Sequence, residues 1–437
     1  MNIILIVADD LGWNDVGYHS NKIQTPTIDY LAMTGLRIEK SYCYSVCTPT
    51  RAAIVTGNCP HRYGLQGVLW PWNYTGLDIN AYLLSNFLKD NGYSTYLVGK
   101  WHLGNQKHYQ PHHRGYDYHF GLYNGMFDYW NHTYYNIHDL QENGKPVHPN
   151  GHSTDLFTNK AIEIIENHDT TKPMFLHLCY NAVHVPLQPG AFADYYSRIQ
   201  PNKNRRDYCA LVSQMDFGIG QILAKLASRK MLNDTLIWFL SDNGGWLPGG
   251  ANNAPFRGEK ATRYEGGIRN VNFINYGKLN SGEIFQGSCH VIDIFPTIAA
   301  LIGKPIPIQT DGINIFDPNA QDRPFIAFLL DYEMAIIYKN WKYLKLVSGD
   351  ELYDLQNDPL ETKNVINNNK EIADNLRQIL ETRKCEKIPE IHPWHKPNGY
   401  PPGFKFPKYA GDEITPMFLA TTPPQPKTFA ELVEHND

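Results

Sequence analysis

Apolar runs alternate with segments of helical character along the first half of the chain. The first run, Asn2–Val7, is apolar at every position after the first, which is typical of a strand buried on both faces of a sheet. Three further β-rich runs are Ser94–Val98, Met174–Cys179 and Thr235–Leu240. Because each of them follows a segment of helical character, the pattern predicts an α/β fold class with a large, mostly parallel sheet flanked by helices.

The helices between these strands are marked by caps and breakers. Thr25 and Pro26 predict the start of a helix that runs to Leu36, because threonine caps helix N-termini and proline fits the first turn. Three further helices are predicted over Asn80–Asn91, Thr154–Asn167 and Asp207–Leu226.

The pattern changes near Asp322, where short strands follow one another closely. Strands are predicted over Phe325–Leu330, Ala335–Tyr338 and Tyr343–Leu346, and a helix over Asn369–Arg383. This spacing predicts a small antiparallel sheet with one helix. We therefore divide the chain into a large α/β domain, residues 1–321, and a smaller C-terminal subdomain, residues 322–437. The tail from His392 to Pro426 is rich in proline, glycine and aromatic residues and is predicted to be irregular.

Composition and charge argue against two kinds of partner, nucleic acid and a membrane that the chain would span. The chain has 437 residues, of which 42% are apolar and 19% charged, and its formal net charge is −5. Nucleic acid is a poor first candidate, since it usually requires a basic face. No apolar run approaches the roughly 20 residues of a membrane-spanning helix. The opening run Met1–Ala8 also lacks the basic head of a signal peptide and is interpreted as a core strand.

Glycosylation sequons favour a secretory route. Asn73, Asn131 and Asn233 each stand two positions before a threonine and are possible glycan acceptors. We therefore expect a lysosomal or secreted protein whose signal peptide is absent from this chain.

Polar residues follow each strand of the predicted parallel sheet, at the edge where open α/β sheets bind ligands. In chain order these are Asp9 and Asp10, then Gly99–His102, then Asn181–His184, then Ser241–Gly245. Neighbouring aspartates need a cation, because like charges otherwise raise one another's pKa. Oxygen ligands from Asp9, Asp10, Asp242 and Asn243 favour a hard ion such as Ca²⁺ or Mg²⁺. The alternative for an Asp-Asp pair is a helix cap or a turn.

The string Cys-Thr-Pro-Thr-Arg begins at Cys47. Thr48 and Pro49 predict the cap and first turn of a helix that runs to Thr56 and is closed by Gly57. Cys47 would then lie at a helix N-terminus, a position that binds anions and activates a nucleophile. The alternative is a buried, inert cysteine.

These segments resemble the blocks of the type I, formylglycine-dependent sulfatases. The string Cys-x-Pro-x-Arg followed by Thr-Gly resembles that family's signature, and its other blocks are matched in order by Asp9–Trp13, Gly99–Gly104 and Ser241–Gly245. The most similar branch is that of arylsulfatase B, an N-acetylgalactosamine 4-sulfatase. Segments similar to that branch are Asn14–Gly17, His113–Asp117, His184–Gln188, Gly249–Asn253, Arg257–Gly258 and Glu265–Arg269. The resemblance implies an alkaline-phosphatase-like fold and a sulfuric ester hydrolase.

The resemblance also implies a role for each matching position. One Ca²⁺ is held by Asp9, Asp10, Asp242 and Asn243. Cys47 is converted to formylglycine, whose hydrate also contacts the metal. The cationic shell of the site is Arg51, Lys100, His102, His184 and Lys260. The implied partners are a formylglycine-generating enzyme and a sulfated small molecule or glycan, for instance one with an N-acetylgalactosamine 4-sulfate.

The chemistry expected of that shell is proton transfer around a sulfate ester. One hydroxyl of the hydrated aldehyde attacks sulfur, and His184 or Lys260 gives a proton to the leaving oxygen. The second hydroxyl then loses a proton toward His102, and the aldehyde re-forms as sulfate leaves. Aromatic residues either stack on a sugar ring or belong to the core, and the candidates are Trp70, Trp72, Tyr129, Trp130 and Trp246.

Alternatives remain open at this point. A non-catalytic relative would bind sulfated glycans with an unconverted cysteine. A phosphoester or phosphonate hydrolase of the same superfamily would usually bind two transition metals, which the single hard-metal ligand set does not favour. Of the seven cysteines, six remain after conversion of Cys47. They allow up to three disulfides in 15 connectivities.

Overall fold

The computed structural model describes residues 1–73, 75–277, 279, 282–320, 323–329, 333–384 and 408–411. The α-helices are α1 Gly17–Ser20, α2 Pro26–Thr34, α3 Cys47–Thr56, α4 Leu84–Asp90, α5 Ser153–Asn167, α6 Ala193–Ser197, α7 Lys203–Ser228, α8 Glu265–Ile268, α9 Ile294–Leu301 and α10 Lys370–Lys384. The strands are β1 Asn2–Ala8, β2 Leu36–Arg37, β3 Ser41–Tyr42, β4 Ser94–Gly99, β5 Tyr118–Gly121, β6 Thr133–Tyr134, β7 Ile137–His138, β8 Gln141–Glu142, β9 Lys145–Pro146, β10 Met174–Cys179, β11 Thr235–Ser241, β12 Asn272–Asn275, β13 Glu283–Ile284, β14 Cys289–His290, β15 Phe325–Leu329, β16 Glu333–Tyr338, β17 Trp341–Lys345 and β18 Glu351–Asp354.

A ten-stranded mixed sheet organises the larger part of the chain. Its strand order is β13-β2-β12-β11-β1-β10-β4-β5-β8-β9. The five central strands, β11 to β5 in this order, are parallel to one another, and antiparallel pairs lie toward both edges. In register, Val7 of β1 pairs with Cys179 of β10 and with Leu240 of β11. The predicted α/β class with a large, mostly parallel central sheet is confirmed.

Strand β1 is buried on both faces, as its apolar run predicts. Ile3, Leu5 and Val7 belong to one hydrophobic cluster, together with residues of α3, α4 and α9. Ile4 and Ile6 belong to a second cluster, together with residues of α2, α5 and α7. Alternation along the strand therefore divides the core into two layers, one on each side of the sheet.

The C-terminal subdomain is a four-stranded antiparallel sheet in the order β15-β16-β17-β18. One face packs with α10 in a cluster of its own. Residues of the other face, among them Phe325, Ile337 and Leu344, join the cluster of α3, α4 and α9. The rings of Tyr42 and Phe325 stack with centroids 5.3 Å apart. The subdomain thus shares a core with the larger domain.

Several predicted helix boundaries differ from the structure for local reasons. Helix α2 ends at Thr34 rather than Leu36, because Leu36 pairs with Ile274 in the sheet. Helix α4 begins at Leu84 rather than Asn80, since the Asn80 amide donates to Asp78 in a turn. Helix α7 begins earlier than predicted, at Lys203, where the Asn202 side chain caps it.

Other sequence predictions concern the surface and the cysteines. Asn73 is buried, whereas Asn131 and Asn233 are exposed, so burial argues against a glycan at Asn73 in the folded chain. The six cysteines in the described ranges are free thiols, and Cys385 lies outside those ranges. None of the described helices is long and apolar enough to cross a membrane. The predicted irregular tail lies outside the description except for residues 408–411, which hydrogen-bond to the backbone of His138.

Candidate active site

The carboxyl ends of the central parallel strands meet at one edge of the sheet. The chain after β1 is tied to the chain after β10 by the Asp9 amide, which donates to the Ala182 carbonyl at 3.0 Å. The Asp242 amide donates to the Ala8 carbonyl, and the Lys100 amide to the Cys179 carbonyl. Four separate segments that the sequence places after strands are thereby joined at one site.

Asp9 and Asp10 face the same site although they are neighbours in sequence. β1 has ended at Ala8, and Asp10 adopts a left-handed conformation with φ 60°. Ligand atoms of Asp9, Cys47 and Asp242 lie within 4.8 Å of one another, as do those of Asp9, Asp10 and His184. The local turn therefore removes the opposition of side chains that an uninterrupted strand would impose.

Two buried oxygens in this cluster have no hydrogen-bond partner among the described residues. They are Asp9 Oδ1 and Asn243 Oδ1. The Asn243 amide nitrogen donates to Asp10 Oδ1 at 2.7 Å, which leaves the amide oxygen as a free ligand atom. Buried polar atoms are normally paired, and unpaired carboxylate and amide oxygens are ligands of Ca²⁺. The donor set therefore fits a hard divalent cation.

Each of the three carboxylates also has a cationic partner. Lys100 Nζ lies 2.7 Å from Asp9 Oδ2, and Lys260 Nζ lies 2.8 Å from Asp10 Oδ2. The Arg51 guanidinium donates through Nε and Nη2 to a single oxygen of Asp242, at 3.1 and 2.8 Å. Arg51 and Lys100 are buried and do not line the pocket, so they contact the carboxylates from the protein interior.

The carboxyl groups differ in their affinity for protons. Burial, with the neighbouring Asp242 carboxylate, raises the pKa of Asp9 to about 8. Burial opposes ionisation of Asp10 too, but Lys260 and His184 lower the pKa of that carboxyl below its usual range. A cation bound to the unpaired Asp9 oxygen favours the ionised form of that group.

Cys47 is the first residue of α3 and is 2% exposed. The cap position before it is Val46 rather than the predicted Thr48. The Thr48 hydroxyl instead donates to the His102 carbonyl and accepts from the Leu69 amide. Burial raises the pKa of the Cys47 thiol, although Lys100 and Lys260 act in the opposite direction. The raised pKa does not favour the thiolate that the helix N-terminal position predicted.

His102 lines the pocket above Cys47 with one ring nitrogen unpaired. Its Nε2 lies 2.8 Å from the Leu69 carbonyl oxygen, and because a carbonyl only accepts, Nε2 carries the hydrogen. Nδ1 is buried with no partner in the described structure. Burial and the charge of Lys100 lower the pKa of His102 well below its ordinary value. Nδ1 is thus a neutral acceptor.

His184 and Lys260 form a hydrogen-bonded pair. His184 Nδ1 donates to the Val185 carbonyl at 2.8 Å, and its Nε2 lies 2.9 Å from Lys260 Nζ. Burial and Lys260 lower the pKa of His184 to about 3. Burial alone would lower the pKa of Lys260, but the Asp10 carboxylate raises it above its ordinary value. Of the two candidates for proton donor, Lys260 therefore carries the proton.

The aromatic candidates separate into three groups. Trp70 and Trp246 line the pocket, whose volume is about 130 Å³. Tyr129 and Trp72 are buried, and Trp130 is exposed outside the pocket. The Tyr129 hydroxyl donates to the backbone carbonyl of His184 at 2.8 Å, so Tyr129 holds the loop of that histidine rather than a sugar ring.

A buried charge cluster below the site was not found by sequence reasoning. Lys342 Nζ of β17 lies 2.9 Å from Glu265 Oε1 and 2.7 Å from Glu361 Oε1, and all three side chains are fully buried. Glu265 begins α8, whose Gly267 carbonyl accepts from the Gly244 amide beside Asn243. Partners this far apart in sequence leave no local pattern.

Comparison with known proteins agrees with this geometry. The sulfatase family model matches residues 1–304. Arylsulfatase J of Mus musculus is 39% identical over an alignment of 330 positions, which covers 72% of this chain and 55% of that protein. N-acetylgalactosamine-6-sulfatase of Homo sapiens is 30% identical over an alignment of 368 positions, which covers 76% of this chain and 69% of that protein. The chain thus spans about half the length of arylsulfatase J.

The solved structure of Ps i-CgsB is 32% identical, with a TM-score of 0.85 over 89% of this chain and 94% of that chain. A second structure of that protein, in complex with k-i-k-neocarrahexaose, has a TM-score of 0.83 at the same identity. The predicted alkaline-phosphatase-like fold is confirmed by these neighbours. The family model covers well over half of the chain, and the chain therefore belongs to the sulfatase family, a family of sulfuric ester hydrolases.

Proposed function

We propose that this protein hydrolyses the sulfate ester of a sulfated sugar, using formylglycine made from Cys47 and one bound Ca²⁺. The observation that carries the proposal is the position of Cys47. It begins a helix at the floor of a pocket, next to a carboxylate cluster with two unpaired buried oxygens.

The metal would be held by Asp9, Asp10, Asp242 and Asn243, with residue 47 as a further ligand. When bound, the ion and the hydrated aldehyde supply charge stabilisation and a nucleophile with two hydroxyls. Asp9 Oδ1 and Asn243 Oδ1 are the atoms that need this ion most, because they are buried and unpaired.

The remaining residues bind the ester and move protons. Lys260 lies at the pocket, keeps its proton, and is placed to donate to the leaving oxygen. His184 accepts from Lys260 through Nε2 and so orients the ammonium group. His102 offers the unprotonated Nδ1, which is placed to accept the proton whose loss releases sulfate.

A sugar is the favoured alcohol because of the relatives. The human relative is an N-acetylgalactosamine-6-sulfatase, and Ps i-CgsB has been solved in complex with k-i-k-neocarrahexaose. N-acetylgalactosamine 4-sulfate is our candidate from the sequence resemblance. A lysosomal or extracellular location is part of the proposal and accords with the exposed sequons at Asn131 and Asn233.

The first experiment weighs the Cys47 peptide. The protein is produced in cells that contain a formylglycine-generating enzyme and digested, and the peptide is analysed by mass spectrometry alongside hydrolysis of 4-nitrophenyl sulfate. We expect the mass of the aldehyde or its hydrate, and activity that disappears in Cys47→Ala but persists in Cys209→Ala, a buried cysteine on α7. An unmodified thiol, in cells that convert a control sulfatase, would favour a sulfate-binding relative without catalysis.

A further inference from the structure

The walls of the pocket differ in chemistry from its floor. The floor holds the residues assigned above to metal binding and proton transfer. The walls are apolar or aromatic, and the side chains that matter here are Leu69, Trp70, Met126, Tyr134, Val185 and Trp246. The part of the substrate beyond the sulfur atom therefore meets little polar surface.

Trp246 is fixed at the mouth of this pocket by its own loop. It follows the segment 242–245 directly, and its ring lies over Gly249, where a Cβ would be 2.8 Å from the ring atom Cε3. The next amide, of Leu247, donates to Glu259 at 2.8 Å. The half-buried indole is thus held in place before any ligand arrives.

Trp70 is held on another wall. Its ring stacks on the buried Trp72 at a centroid distance of 5.2 Å and an interplanar angle of 4°. Its amide donates to Asn73 at 2.6 Å. Rigid aromatic surfaces of this kind bind the C–H face of a ring at low cost in conformational entropy.

Among the described residues that line the pocket, no lysine or arginine is without an anionic partner. Lys260 is the one lysine or arginine among the described residues that line it, and it already pairs with Asp10. Lys100 and Arg51, which do not line the pocket, form ion pairs with Asp9 and Asp242. A second anionic group near the ester would lie against apolar walls without a counter-ion, which is unfavourable in a desolvated site.

We propose, on the basis of the sulfatase activity proposed above, that the substrate is a sugar ring with a single sulfate and no other charge. Its apolar face packs against the aromatic walls, and its sulfate reaches the floor. A second sulfate on the same ring is selected against, because the walls offer it no cation.

Matched substrates test this inference. The converted enzyme is assayed with 4-nitrophenyl sulfate, with the 4-sulfate and the 6-sulfate of N-acetylgalactosamine, and with the 4,6-disulfate. One of the two monosulfates will be hydrolysed faster than the other. We expect its kcat/KM to be at least tenfold higher than the kcat/KM for hydrolysis at the same position of the 4,6-disulfate. Equal values for the two would overturn the inference and leave the proposed function standing. Hydrolysis of 4-nitrophenyl sulfate alone would overturn the inference and the sugar as proposed substrate, and would leave only sulfate ester hydrolysis. If converted enzyme hydrolyses none of the four, the proposed function itself is wrong.

Wall variants separate stacking from charge. Trp246→Ala should raise KM for the monosulfate at least fivefold with kcat nearly unchanged, and Trp246→Phe should restore much of the loss. Trp130→Ala, an exposed tryptophan outside the pocket, serves as the control. Met126→Lys adds a cation to the wall and should reduce the difference in kcat/KM between the monosulfate and the disulfate. An unchanged KM in Trp246→Ala, or an unchanged difference in kcat/KM in Met126→Lys, would count against the assigned role of the walls.

Discussion

Asp9 Oδ1 and Asn243 Oδ1 follow different strands, and neither oxygen has a hydrogen-bond partner among the described residues. In a site that consisted only of ion pairs, side-chain donors would be expected to hydrogen-bond to both oxygens. The ion pairs of Lys100, Lys260 and Arg51 engage other oxygens of the cluster. At the scale of single residues, the site therefore keeps two ligand atoms unpaired although each of its three carboxylates has a cationic partner.

Calcium should stabilise the folded protein through these atoms. At a hundredfold excess over Kd, a ligand that binds only the folded state adds about 2.7 kcal/mol, so we expect Tm to rise with Ca²⁺ and to fall with a chelator. In Asn243→Ala the response should be largely lost, whereas Asn243→Asp keeps an oxygen and should keep the response. Thermal melts at several Ca²⁺ concentrations make the comparison. An alanine variant that responds like the parent would remove Asn243 from the ligand set.

A histidine outside the site should make stability depend on pH. Burial lowers the pKa of His119 to about 3, and its ring stacks on Tyr123. The folded state favours neutral imidazole, so the stability is complete above the ordinary pKa of about 6.5 and is lost as pH falls toward 3. Between pH 6.5 and 4 this group alone costs about 3 kcal/mol.

Replacing the His119 imidazole should reduce the loss of unfolding free energy at acid pH. We expect His119→Phe, which keeps a ring against Tyr123, to lose about 3 kcal/mol less free energy of unfolding than the parent over this range. Urea titrations at pH 6.5, 5 and 4 measure the difference. His113→Phe changes an exposed histidine and should follow the parent. Parallel curves for all three proteins would show that the buried ring is not responsible.

At the scale of elements, the strands were predictable and the helix starts less so. A strand that is buried on both faces is apolar along its whole length. The carboxyl ends of neighbouring parallel strands lie at the same edge of the sheet, irrespective of loop conformation. For this reason Asp9, Lys100, His184 and Asp242 could be expected together. Thr48 misled the prediction of the α3 cap, because its hydroxyl bonds to two distant backbone groups rather than to its own helix.

Contacts across long sequence separations could not be predicted from one sequence. Tyr129 reaches the His184 carbonyl across 55 positions, and Lys342 reaches Glu265 across 77. Neither pair has a periodicity or a motif, and a lone lysine is more often a solvated surface charge. Only the packing of β17 beneath α8 shows that this lysine is buried.

Lys342 should matter to both stability and activity. Lys342→Met leaves Glu265 and Glu361 buried without this cation, and removal of one partner from a buried ion pair costs about 3–5 kcal/mol. Because α8 supports the Gly244 turn beside Asn243, Ca²⁺ affinity and sulfate ester hydrolysis should fall as well, and Lys342→Arg should restore part of each. Denaturant titration and Ca²⁺ titration measure the two effects. Lys345→Met, on the same strand but partly exposed, should change neither by more than about 0.5 kcal/mol.

At the scale of the whole molecule, the two predicted domains are joined by a common core. The division at residues 321 and 322 separates Phe325 and Leu344 from the cluster that also contains α3 and α9. An independent domain would need a core of its own. The smaller part of the chain therefore completes one of the two core layers of the larger part.

A fragment of residues 1–321 should not fold on its own. It exposes the apolar surface that β15–β18 cover and loses Lys342, one of the two cationic partners of Glu265. We expect no cooperative thermal transition and no near-ultraviolet circular dichroism. A fragment of residues 1–384 retains this sheet and α10 and should recover both signals. Cooperative melting of the shorter fragment would show that the sheet is an accessory to the fold.

The separation of Lys342 from Glu265 also sets an order of events during synthesis. Chains grow at roughly 5–20 residues per second, so the lysine, 77 positions later, leaves the ribosome about 4 to 15 seconds after its partner. Glu361 follows later still, 96 positions after Glu265. Over that interval the turn that carries Asn243 lacks its support. The site is therefore completed late, and under the proposed function a modifying enzyme would have access to Cys47 for longer than the early position of this residue in the chain implies.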